Sequence, residues 1–88
     1  MYTAVVTILF MLAGPVSFSL DPPQPAATLE QCQEKLDLLE ARMSSLSPHA
    51  LRSFGPPVSK LRQCLTPEEV WQHPGLDDAT KASVGEPA

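Results

Sequence analysis

The sequence predicts an all-α fold: a small, disulfide-stapled antiparallel helical hairpin with its second arm kinked at Gly55–Pro57, then a short capped helix, with disordered segments on either side. Three observations predict it. In TLEQCQEKLDLLEARMSSL the apolar residues Leu29, Cys32, Leu36, Leu39, Met43 and Leu46 recur in steps of three and four, the seam of a coiled coil or of a tightly packed helical hairpin. Helix start signals stand before each helical segment. The two cysteines flank Pro48 symmetrically, since 48 − 32 and 64 − 48 are both 16. A fold-back at that turn therefore brings them to the same end.

The expected organisation is a leader over 1–19, a proline-rich spacer over 20–27, a helical hairpin domain over 28–75 and a disordered acidic tail over 76–88. MYTAVVTILFMLAGPVSFSL carries no charged side chain before Asp21. Its apolar run from Ala4 to Ala13 ends at the helix breakers Gly14 and Pro15. Ser17 and Ser19 then occupy the minus-three and minus-one positions of a signal-peptidase site that cuts before Leu20. The alternative, an uncleaved anchor, needs about 20 apolar residues to span a bilayer, and Gly14, Pro15, Ser17 and Ser19 interrupt the second half of this run. From Leu20 onward, Leu, Ile, Val and Phe make up 14 of 69 residues. That is near the composition at which chains stop folding unaided, so a staple or a partner is needed.

The spacer DPPQPAA favours extended backbone. Thr28 opens a capping box with Gln31, and the first helix is expected over Leu29–Leu46. Ser47–Pro48 reads as an N-cap with proline at the first helical position. The apolar positions Leu51, Phe54, Val58, Leu61 and Leu65 keep the three-four step across FGPP, which predicts one kinked arm. TPEEVW repeats the start signal, with Thr66 as cap, Pro67 first and Glu69 third. Pro74–Gly75 closes that short helix, and LDDATKASVGEPA has no period.

In an oxidising compartment two cysteines pair within the chain by default, with pairing between chains and free thiols as the alternatives. Helix axes pack roughly 8–10 Å apart, whereas a disulfide needs alpha carbons about 5.5–6 Å apart, so the hairpin must pinch at its open end.

The formal net charge of −4, with all sixteen charged side chains after Leu20, gives no basic stripe for nucleic acid. The chain contains no asparagine, so it has no N-glycosylation site, and it has no paired-basic processing site. His49 and His73 stand alone without metal-ligand spacing, and Glu68 and Glu69 complement a helix dipole. No catalytic residue, metal site or cofactor is expected, and the chain is not read as an enzyme.

The expected function is that of a secreted, extracellular protein that binds another protein, or itself, through apolar helix faces. The candidate binding residues are Leu36, Leu38, Leu39, Met43, Leu51, Phe54, Leu61 and Trp71. Trp71 either caps the hairpin or anchors a partner. The competing readings are an exchangeable, apolipoprotein-like lipid binder, for which the apolar stripe is narrow, and a membrane-anchored stalk held by residues 1–20.

Overall fold

The computed structural model describes residues 1–20, 23–44, 52–76 and 78–83. Among these residues are two long strands, a short one and three helices. β1 spans Thr3–Phe10, β2 spans Gly14–Ser19, α1 spans Leu29–Ser44, β3 spans Pro57–Leu65, α2 spans Pro67–Gln72 and α3 spans Asp78–Ser83. The strands form one antiparallel sheet in the order β2-β1-β3. This replaces the all-α hairpin and coiled-coil seam that the apolar spacing predicts.

β1 forms because TAVVTILF concentrates β-branched residues, whose side chains fit a pleated surface better than a helix. A strand covered on both faces reads as an unbroken apolar run. β1 is such a strand: Val5 and Val6 point to opposite faces and are both fully buried. Each contributes about 1.5–3 kcal/mol by leaving water. Phe10 pairs with Gly14 across a three-residue turn, and Gly14 takes the positive φ of 74° that side-chain-bearing residues avoid. β3 runs beside the other edge of β1, with Ala4 opposite Cys64, Val6 opposite Arg62 and Thr7 opposite Leu61.

The two faces carry different layers. On the even-numbered face, Ala4 and Val6 pack with Cys32, Leu36 and Leu39 of α1, and Ile8 and Met43 lie against this cluster. On the odd-numbered face, Val5 and Leu65 pack with Val70 of α2 and with Leu76. The three-four stripe of α1 is therefore real, but it faces a sheet and not a second helix. At its start Thr28 Oγ1 accepts from the Gln31 N–H at 3.2 Å, while the Gln31 side chain accepts from the Ala27 N–H at 3.0 Å. The reciprocal half of the expected box thus reaches one residue further back.

Two further expectations change. The second arm is not a kinked helix: after the turn at 52–54, Pro57–Leu65 is a strand. The turn needs Gly55, whose φ is 79° and on which a Cβ would come within 2.8 Å of the Leu12 side chain. The tail expected to be disordered begins with buried Leu76 and continues into α3, where Thr80 is buried and its hydroxyl lies 2.9 Å from that of Ser19. Residues 1–19, expected as a leader, form β1 and β2. Cleavage before Leu20 would remove both strands, so the leader role and this sheet belong to different forms of the chain. The Ser47–Pro48 turn, Leu46 and Leu51 lie outside the described residues.

The start signal at Thr66 is realised in full. Thr66 Oγ1 accepts from the Glu69 N–H, and the Glu69 carboxylate accepts from the Thr66 N–H at 3.1 Å and from its hydroxyl at 3.0 Å. The backbone bond first, then the hydroxyl bond, hold the Glu69 carboxyl below its ordinary value of 4.5. A carboxyl lowered by folding stabilises the fold above its unfolded pKa, and that contribution is lost as pH falls through the folded value. Acid titration is therefore expected to fray α2 below the usual carboxylate range, read as a change in Trp71 fluorescence. Glu69→Gln should remove that transition. A Glu69→Gln titration that superimposes on the parent's would contradict this assignment.

Candidate interaction surface and its disulfide support

The support of the surface is covalent. Cys32 of α1 and Cys64 of β3 form a disulfide with alpha carbons 6.1 Å apart, so the pairing within the chain is as expected although its setting is not. Helix one still supplies one partner, but the other lies on a strand directly opposite Ala4. The bond ties the helical layer to the flank of the sheet. A strand's residues project perpendicular to the sheet, so the close approach needs no pinch between two helices.

Charge reinforces the same junction. Arg62 Nη2 donates to Asp37 Oδ1 at 2.7 Å. Glu40 Oε1 lies 3.2 Å from Lys60 Nζ and 3.3 Å from Arg62 Nε. Neither Glu40 approach is aligned as a hydrogen bond, so that part of the cluster is held by charge alone. Partial exposure screens these pairs, and each is worth about 1 kcal/mol or less. They orient β3 under α1 more than they stabilise it.

The expected binding residues scatter in this arrangement. Leu36 and Leu39 are buried against the sheet. Leu38 is exposed on the outer side of α1. Met43 is half-buried and lines a cavity of about 280 Å³ with Ile8, Phe10 and Pro57. Phe54 is half-buried with its ring centroid 5.2 Å from that of Phe10. Trp71 is half-buried on α2, and Leu51 lies outside the described residues. Of the seven that are described, Leu38 and Leu61 alone are exposed. They lie on different layers, so the expected helix-face surface is not assembled.

A different apolar surface is assembled. Leu61, 54% exposed, is a diagonal neighbour of Leu9 on the odd-numbered face. Met11 and Leu12, at 71% and 75%, lie exposed in the β1–β2 turn that follows Leu9. The Met11 N–H donates to the Pro56 carbonyl and the Leu12 N–H to the Phe54 carbonyl, each at 3.0 Å, so the turn is clamped to the β3 side. Sequence reasoning missed Leu9, Met11 and Leu12 because they lie in the segment read as a leader. The only signal for them was the β-branched content of the preceding residues.

Little on this surface could do covalent chemistry. The Thr7 and Ser17 hydroxyls lie 2.9 Å apart, and His73 Nδ1 accepts from the Gly75 N–H at 3.1 Å. Both cysteines are in the disulfide. Among the described residues no group of three His, Cys, Asp or Glu could hold a metal ion, and no helix is long and apolar enough to cross a membrane. The chain matches no family model, no curated protein sequence and no solved structure.

Proposed function

We propose that this protein is a non-catalytic binding module of an oxidising, extracellular compartment that acts by apolar contact with another protein. The observation that carries the reading is the exposure of Leu9 and its diagonal neighbour Leu61, together with that of Met11 and Leu12 in the adjoining β1–β2 turn. Large apolar side chains gathered in one exposed patch mark contact sites, whereas single exposed ones are ordinary. The compartment is supported by the disulfide, because disulfides persist where thiols are not kept reduced. This surface belongs to the form of the chain that keeps Met1–Ser19.

Site-specific photocrosslinking tests it. A photoreactive residue at Leu61 should capture a discrete partner from extracellular fluid, and one at Glu34, exposed on the acidic outer side of α1, should not. Equal capture from both positions, or transfer of the Leu61 probe to phospholipid instead of protein, would overturn the proposal.

A further inference from the structure

The disulfide joins α1 to β3 and bypasses the strand between them. β1 is the centre of the sheet, hydrogen-bonded along both edges, yet its only covalent tie to the rest is the backbone running from β2 through Leu20. The walls around it are held together independently, by Cys32–Cys64 and by the Arg62–Asp37 and Lys60–Glu40 pairs. One wall presents the buried leucines Leu36 and Leu39, and the other presents the inner backbone edge of β3 over Val70 and Leu76. The α1 side chains that meet β1 are apolar, and Lys60 and Arg62, which stand beside Ile8 and Val6 on β3, are already engaged by Glu40 and Asp37 of α1. An occupant must therefore be extended, about eight residues long like β1, apolar and free of charge.

The segment that fills this space is also the one with the features of a removable leader. Its expected cut, between Ser19 and Leu20, would sever β1 and β2 together. We propose that α1 and β3 form a strand-binding slot which Met1–Ser19 fills in cis, and which accepts an extended, uncharged apolar strand in trans once that segment is severed. Backbone hydrogen bonds to β3 supply affinity, and alternate side chains entering the two cores supply selectivity. The disulfide keeps the slot's walls together while it is empty.

The test starts from the full chain, folded and oxidised, with a protease recognition sequence inserted after Asp21. After cleavage, residues 1–21 should remain with the rest of the chain on size exclusion. A fluorescent synthetic peptide of residues 1–19 should exchange into the nicked complex, while the same peptide carrying Val6→Asp should bind at least about tenfold more weakly. In a nicked chain carrying Cys32→Ala and Cys64→Ala, release of the peptide should be at least about tenfold faster. Prompt loss of residues 1–21 on cleavage with no uptake of the labelled peptide would overturn the proposal, as would equal binding of the Val6→Asp peptide. Because the peptide arm leaves the host chain unaltered, the proposal stays testable even if the cysteine variant fails to fold.

Discussion

Val6→Asp is expected to abolish the folded state of the full chain. Val6 is fully buried between the sheet and the Leu36 and Leu39 side of α1, and it stands opposite Phe18 on β2 and Arg62 on β3. Arg62 is already engaged by Asp37 and Glu40. An aspartate at position 6 would lose its hydration, and Arg62 could meet it only by giving up these partners. The effective cost of burying a charge is several kcal/mol even after relaxation. A domain of this size commands a total stability of only about 5 kcal/mol, so far-ultraviolet circular dichroism should show an unfolded chain. Leu61→Asp, on the exposed end of the other face, should change stability by less than about 0.5 kcal/mol. A Val6→Asp protein that melts with the parent would mean that residue 6 is not in the core.

The second large effect is that of the disulfide. The cysteines are 32 residues apart in sequence, and closing a loop of that length is worth about 3–4 kcal/mol on the chain-entropy account. Replacing both by alanine should lower the melting temperature by roughly 15–25 °C, at about 4–8 °C per kcal/mol for a domain of this length. Part of that loss comes from the fully buried Cys32, whose sulfur helps to fill the core under α1. The double variant should retain the sheet at low temperature, since the Val5 and Val6 cores do not depend on the bond. If it melted within a few degrees of the parent, the disulfide would not be the staple of this fold.

Much of α1 was legible from its residues. The stripe Cys32, Leu36, Leu39 is its buried face, and Thr28 caps it. The α2 start was legible in full, because a threonine cap, a first-position proline and a third-position glutamate specify one local geometry. Pairing of Cys32 with Cys64 followed from having two cysteines, whatever elements carried them. The sheet was not legible, for a physical reason. TAVVTILF is uncharged and, apart from Thr3 and Thr7, apolar, and a leader's hydrophobic region and a central strand covered on both faces have the same signature. The misreading of β3 was of another kind. Strand alternation in PVSKLRQCL is hidden because its helix-facing positions carry Lys60 and Arg62, which meet Asp37 and Glu40 and not an apolar core. The apolar positions Val58, Leu61 and Leu65 therefore fell in a three-four step by coincidence, Val58 being an even position and the other two odd. With β1 and β3 both hidden, the exposed cluster at the β1–β2 turn could not be located, whereas Leu61 could be named only as part of a helix.

Hydrogen exchange of the Val5 and Val6 amides in the full chain reads out whether Met1–Ser19 supplies the middle of the sheet. Central-strand amides open only with the global unfolding of a small domain, whereas unstructured or fraying segments exchange almost freely. These two amides should be among the slowest in the protein and lose protection together with those of Leu36 and Leu39 when denaturant is added. Exchange of Val5 and Val6 at unstructured-peptide rates, with α1 still protected, would contradict it.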